Sequence, residues 1–255
     1  MPNEEMLKVS NLGLSFGGFR VVDKVSFTIE GSQIYALIGP NGSGKTSLFN
    51  AITGVYKPQS GKVFFNGKDI TSFPPHRVFR EGIVRTFQYP KVFNKMTIID
   101  NLVFASRNQV GDNPAAAVFQ RNKVKEQEKN LKKKAYDVLD KIGLIKYAES
   151  YPTELSGGQL KLLELGRALM ADPQLLMLDE PAAGINPILT TQLFKILRKA
   201  RDEENLTIFL IEHRLEIVKE FVDWVYVMRS GKIVLEGSPN EVLYDKNFLE
   251  IYTGG

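Results

Sequence analysis

Residues 34–52 read IYALIGPNGSGKTSLFNAI, and this stretch decides the class of fold. Ile34 to Ile38 are apolar without polar alternation, as in a strand buried on both faces of a mainly parallel sheet. Leu48 to Ile52 continue as a helix. Between them Gly39, Gly42 and Gly44 permit positive φ and carry no Cβ, so several backbone N–H groups can turn toward one anion at a helix N-terminus. Lys45 can reach the β and γ phosphates of a nucleotide, and the Thr46 hydroxyl can ligate Mg2+. The pattern GxxxxGK[ST] arises by chance in on the order of one per cent of chains this long, and the flanking strand and helix lower that further. The segment is therefore read as a phosphate loop of Gly39, Pro40, Asn41, Gly42, Ser43, Gly44, Lys45, Thr46 and Ser47. Alone it does not separate GTPases, kinases and ATP-driven motors.

Similar apolar runs recur at Ile83 to Phe87, Leu175 to Leu178, Ile208 to Ile211 and Trp224 to Met228, which gives an α/β fold around a mainly parallel sheet. Alternating Leu7, Val9, Leu12, Leu14 and then Val25, Phe27, Ile29 read as antiparallel strands flanking that core. Val63 to Phe65, Asn66-Gly67 and Lys68 to Ile70 read as a hairpin with a type I′ turn, and VMRSGKIVLEG as a second hairpin. From Pro90 to Leu165 the pattern turns helical. Leu131, Ala135, Val138, Leu139 and Ile142 share one helical face, with Gly143 as its stop. The expected organisation is a single domain, with residues 1–90 and 166–255 as the core with its β flank and 91–165 as an inserted helical subdomain. GDNPAAA, residues 111–117, is the nearest thing to a linker.

Composition excludes several classes. The 255 residues carry 43% hydrophobic and 24% charged side chains, an ordinary globular balance, and the net charge of +4 is too small to argue for nucleic acid. The absence of cysteine excludes disulfides and thiolate metal sites. Acidic residues near the start, MPNEEMLKVS, are unlike a signal peptide, and no apolar run approaches the ~20 residues that span a bilayer. A cytosolic protein that serves a membrane only through partners is expected. Arg121 to Lys134 hold seven basic and two acidic residues, read as a solvated helix face or as a contact for anionic lipid or an acidic partner.

Leu175 to Leu178 deliver Asp179 and Glu180 to a strand tip, where open α/β sheets place their ligands. Asp179 can hold Mg2+ and Glu180 can polarise an attacking water. Leu155, Ser156, Gly157, Gly158 and Gln159 then open an amphipathic helix whose N-terminus offers a second anion site. With one phosphate loop already present, a second anion site points to closure over a nucleotide held by another subunit.

In this order and spacing the motifs resemble the nucleotide-binding subunits of ATP-binding cassette (ABC) transporters, over nearly the whole chain. The resemblance implies a P-loop NTPase cassette: a RecA-like core with an antiparallel β flank and a helical signature subdomain. GPNGSGKT matches Walker A, LSGGQ the signature and LLMLDE Walker B. Phe16 in SFGG matches the aromatic that stacks on adenine, with Phe19 as the nearby alternative. Gln88 in RTFQ matches the glutamine that touches Mg2+ and senses the membrane partner. His213 in LIEH matches the switch histidine at the γ-phosphate. The D-loop is Ala183-Gly184-Ile185-Asn186, in which Asn186 keeps hydrogen-bonding capacity but not the usual carboxylate. DEPAAGINP, the long Gln88 to Leu155 insert and VLEGSPNEV look most like the ATPases of high-affinity branched-chain amino acid importers. Branches serving urea or amides, or lipopolysaccharide export, are similar.

As implied by this resemblance, ATP and Mg2+ are the cofactors. Lys45, Gln88, Glu180 and His213 carry catalysis, and Thr46, Gln88 and Asp179 hold the metal. Two ATPase subunits, alike or related, pair head to tail, so that Ser156, Gly157, Gly158, Gln159 and Asn186 of one complete the site of the other. Two integral-membrane permease subunits dock near the Gln88 loop, where Tyr89, Val92, Phe93 and Met96 offer apolar surface or else fill the core of the helical subdomain, with an external solute-binding protein acting indirectly. The expected location is the cytoplasmic face of the cell membrane. An ABC ATPase acting on nucleic acid is the alternative from another class; it usually has two cassettes or a coiled-coil insert, and neither is visible.

Overall fold

A computed structural model describes residues 5–86, 92–107, 109 and 119–253. They divide into two compact units, one of residues up to Arg85 with Gln174–Ala182 and Leu197 onward, the other of Thr86–Pro173 and Ala183–Ile196. Residues 111–117, Phe87, Gln88 and Tyr89 lie outside the described residues.

The first unit holds two sheets. One contains β3 (Ile34–Ile38), β6 (Ile83–Arg85), β7 (Leu175–Asp179), β8 (Thr207–Ile211), β9 (Trp224–Arg229) and β10 (Lys232–Gly237), in the order β10-β9-β3-β8-β7-β6. Strands β6, β7, β8, β3 and β9 run parallel, and β10 returns antiparallel as the second arm of the expected hairpin. Every residue of β3, β7 and β8 is buried, which explains why their sequences show no polar alternation. The other sheet, β2-β1-β4-β5, is antiparallel and comprises β1 (Glu5–Phe16), β2 (Phe19–Glu30), β4 (Ser60–Phe65) and β5 (Lys68–Asp69). At the β4–β5 turn Asn66 and Gly67 both have positive φ, 49° and 75°, as a type I′ turn demands.

Helix α1 (Lys45–Ile52) packs on the sheet through aromatic contacts. Phe49 from α1 and Phe27 from β2 both pack against Phe209 in β8, with ring centroids 4.8 and 5.6 Å away. This cluster joins the two sheets to the helix that begins at the phosphate loop, so the core itself sets where that loop sits. Helix α2 (Pro75–Glu81) precedes β6.

The second unit contains α3 (Ile98–Phe104), α4 (Arg121–Lys141), α5 (Gly157–Met170) and the first half of α6 (Pro187–Glu204). Of the expected apolar face of α4, Ala135, Val138, Leu139 and the capping Ile142 are buried and Leu131 is half-buried. A Cβ on Gly166 would lie 2.7 Å from Cδ1 of Ile142, so glycine is what lets the end of α4 and α5 approach closely. Helices α7 (Leu215–Phe221), α8 (Pro239–Leu243) and α9 (Phe248–Thr253) complete the first unit. No helix among the described residues is long and apolar enough to cross a membrane.

Replacing Phe209 by Ala empties the centre of this aromatic cluster. The expected loss is about 3–5 kcal/mol of unfolding free energy, read as a lower urea midpoint at unchanged slope; a loss under about 1 kcal/mol would mean that the cluster does not join helix and sheets.

Candidate functional site

The phosphate loop leaves β3 at Gly39 and enters α1 through Gly44. Both glycines have positive φ, 146° and 106°. Both are also sterically required: a Cβ would lie 2.0 Å from the Met228 carbonyl oxygen at Gly39 and 2.3 Å from that of Val21 at Gly44. The Gly231 amide, in the β9–β10 turn, donates to the Ser43 carbonyl at 2.9 Å. The loop is thus clamped from below, while Asn41, Gly42 and Thr46 are exposed above and Ser47 is half-buried.

Lys45 is only 6% exposed, and its Nζ donates to the carbonyls of Gly39 (2.8 Å) and Pro40 (2.9 Å). Burial pulls its ammonium below the usual lysine range, and the Glu180 and Asp179 carboxylates oppose that pull. A cation anchored to the loop's own carbonyls and poorly hydrated is preorganised for a phosphate arriving above it.

Adjacent carboxylates at the end of β7 have different surroundings. Asp179 is 6% exposed, and its Oδ2 accepts from Arg85 Nη2 at 2.9 Å. Arg85 Nη1 in turn donates to Asn50 Oδ1 of α1 at 2.6 Å. Glu180 has φ 51°, and this left-handed turn takes it out of the strand; its amide still donates to the Ile211 carbonyl of β8. Its Oε1 lies 3.0 Å from Nε2 of His213, which follows β8. With the carboxylate ionised, Nε2 is the donor. One cleft is lined by Asn41, Gly42, Gly44 to Ser47, Glu180, His213 and Val21. The fold therefore brings the loop, the second carboxylate and the histidine to one place.

The donor set fits Mg2+. A threonine hydroxyl at the start of α1 and a carboxylate at a strand tip are hard oxygen donors, and among the described residues no cluster of three or more His, Cys, Asp or Glu competes as a closed metal cage. Mg2+ commonly takes few protein ligands beside phosphate and water.

The second anion motif belongs to the helical unit. Ser156 caps α5: its Oγ accepts from the Gln159 amide (3.4 Å), and Gln159 Oε1 accepts from the Ser156 amide (2.9 Å), a reciprocal capping box. The two glycines do different things. A Cβ on Gly158 would strike Leu189 of α6 at 2.4 Å, whereas a Cβ on Gly157 would meet no atom within 4 Å. Gly158 closes the packing, and Gly157 leaves the outer approach open. Asn186 Oδ1 accepts from the Leu189 amide at 2.9 Å, so this side chain caps α6.

Phe16 stands 44% exposed on the β1–β2 turn, edge-on to Tyr56 at 5.1 Å, and does not line the cleft; Phe19 is 80% exposed. Phe93 is exposed against Phe104 at 4.9 Å, with Val92 and Met96 half-buried nearby in sequence. Sequence reasoning missed Arg85 and Tyr56. The one available signal for Arg85 was a cation at the tip of a buried strand, three residues before Gln88.

Comparison with known proteins gives consistent matches. The family model for ABC transporters matches residues 22–183. A probable branched-chain amino acid transport ATP-binding protein, LivG of Archaeoglobus fulgidus, is 40% identical over 250 residues, covering 98% of this chain and 96% of its own. The high-affinity branched-chain amino acid transport ATP-binding protein BraF of Pseudomonas aeruginosa is 36% identical over 249 residues, 98% of each chain. The crystal structure of an ATP-binding cassette of an ABC transporter in its ADP conformation superposes with a TM-score of 0.84 at 37% identity, covering 99% of this chain and all of the other.

Two outcomes follow from the geometry. Arg85→Met leaves the buried Asp179 carboxylate without its cation and is expected to cost about 3–5 kcal/mol in urea unfolding. In the signature, Gly157→Ala should leave stability within about 1 kcal/mol of the parent, whereas Gly158→Ala should lose about 1–3 kcal/mol by overpacking on Leu189; equal effects would overturn the different roles given to the two glycines.

Proposed function

The chain belongs to the ABC transporter family as an ATP-binding, ATP-hydrolysing subunit, and from that premise we propose that it drives a membrane importer of branched-chain amino acids. The reading of the site is carried by the single cleft shared by Lys45, Glu180 and His213. The cargo is supported by the relatives from Archaeoglobus and Pseudomonas, whose names state it, and by their near-complete coverage.

In this reading the loop amides from Asn41 to Ser47 and the Lys45 ammonium bind the β and γ phosphates of ATP, and Phe16, beside Tyr56, stacks on adenine. Thr46, Asp179 and Gln88 would hold Mg2+, which neutralises charge on the phosphate oxygens when bound. Glu180 Oε1 orients water and takes its proton as the water oxygen bonds to Pγ. The bond from Pγ to the β,γ-bridging oxygen breaks, and ADP leaves with that oxygen. His213 donates from Nε2, either to Glu180 or to the γ-phosphate, and so links water and phosphate. Most of the acceleration comes from fixed charge and donors around a dispersed phosphoryl charge, the general requirement of phosphoryl transfer; the base supplies about 10²–10⁴.

The anion site at Ser156, Gly157, Gly158 and Gln159 belongs over the phosphates of a second ATPase subunit placed head to tail, with Asn186 at the same junction. The open side of Gly157, where a Cβ would meet no atom within 4 Å, supports this. Two permease subunits carry the path through the membrane, and an external solute-binding protein delivers cargo to them. The chain lies at the cytoplasmic face, where exposed Phe93 offers a docking contact.

Glu180→Gln tests the centre of this assignment. The variant should retain ATP binding, lose turnover by about 10²–10⁴ and, with ATP and Mg2+, shift in light scattering from 28.7 kDa to about twice that mass. Near-normal hydrolysis would overturn the role of Glu180. Persistent monomer with ATP bound would overturn pairing between like copies.

A further inference from the structure

We propose that the C-terminal helix α9 is a positioning element for the hydrolytic site: Tyr252, together with Glu212, fixes the backbone of His213 so that its imidazole remains aligned with Glu180. This inference rests on the reading of Glu180 and His213 as groups that touch the reacting atoms.

Three elements meet at His213. Its ring reaches Glu180 beyond β7, with Nε2 and Oε1 3.0 Å apart. Its amide donates to Oε1 of Glu212 at 3.0 Å, and the Arg214 amide donates to the same oxygen at 3.2 Å. Its carbonyl accepts from the Tyr252 hydroxyl at 3.1 Å, 39 residues along the chain. Both peptide groups flanking the histidine Cα are therefore held, one by a buried carboxylate and the other by a phenol. Neither bond belongs to a regular element, since β8 ends at Ile211 and α7 begins at Leu215.

The supports are themselves locked. Glu212 is 2% exposed, and its second oxygen, Oε2, is buried without a hydrogen-bond partner among the described residues. Burial raises its pKa, against the two amides that favour the charged form. A carboxylate held in this way is costly to the fold, and a fixed acceptor for two consecutive amides is what it provides. Tyr252 stacks on Phe248, one turn back on α9, with ring centroids 5.3 Å apart and 27° between planes. Phe248 is 2% exposed and so anchors that ring in the core. A carbonyl in a loop is normally satisfied by mobile water; here a donor on a packed ring replaces it. Holding a reacting pair to within a fraction of an ångström is a large part of what enzymic positioning supplies.

Tyr252→Phe removes only the hydroxyl and keeps the Phe248 stack, so it separates the bond from the fold. With one hydrogen bond lost, kcat for ATP should fall about three- to tenfold, while the ATP dissociation constant should stay within about a factor of two. The chain has two histidines, His76 and His213, and His76 lies on the exposed side of α2. In ¹⁵N-histidine spectra Tyr252→Phe should therefore shift or broaden the His213 ring signals and leave those of His76 in place. In a His213→Ala background the second substitution should add no further loss, because Tyr252 acts through His213. Unchanged kcat and His213 signals, or a full additional loss in that background, would overturn the proposal. The reading of His213 fails separately, through a His213→Ala variant that keeps parental turnover; the ring signals still decide whether Tyr252 holds the backbone.

Discussion

The Met228 carbonyl and the Gly39 Cα are so close that a methyl group could not be fitted between them. Much of the site follows from that contact. Strand β9 forms a floor on which the phosphate loop rests, and Gly44 meets Val21 of β2 in the same way. The loop takes its shape from this neighbouring backbone together with its own bonds, from Lys45 to the Gly39 and Pro40 carbonyls and from the Ser43 amide to Pro40, and its upper surface is left for an anion. Phe49 and Phe209 hold α1 to β8 of the same sheet from the apolar side. Lys45, the first residue of that helix, is in consequence buried at its stem and aimed back over its own loop.

Asp179 and Glu180 show how one strand tip can serve two purposes. Regular strand geometry would send successive side chains to opposite faces. The positive φ at Glu180 adds a turn after the last strand residue, so the first carboxylate stays in a dry, charge-paired setting and the second reaches the open cleft. Arg85 and Asn50 carry this dry setting across β6 to α1, the helix that follows the phosphate loop. The position of the first carboxylate is thus tied to β6, the parallel neighbour of β7, in whose register Arg85 faces Met177, two residues before Asp179.

Much of this architecture is legible in the sequence where one residue determines one local conformation. Unbroken apolar runs give the buried strands, Asn66-Gly67 gives its turn through two positive φ angles, and Ser156 with Gln159 gives a capped helix start. What escapes is whatever depends on residues distant along the chain. Arg85 looks like a solvated cation until Asp179, 94 residues later, is seen beside it. Tyr56 becomes notable only because it lies edge-on to Phe16. Helix α2 buries only Val78, too little to leave a periodic signal, and its limits come from Pro75 and from Gly82 at φ 117°. Helix α9 is only six residues long, FLEIYT, and apolar at four of them, so it has no polar–apolar period and nothing local marks Tyr252 as reaching His213.

Gly158 has a wider consequence. The missing side chain lets Leu189 seat directly on the start of α5, and the turn of α6 that carries Leu189 is itself fastened by Asn186. The signature and the D-loop, more than twenty residues apart in sequence, are thereby brought into side-chain contact through Leu189. Tilting α6 about its first turn would move Leu189 against the start of α5. A displacement of the D-loop and a displacement of the signature therefore meet at one apolar contact, Leu189 against Gly158, with no charged group between them.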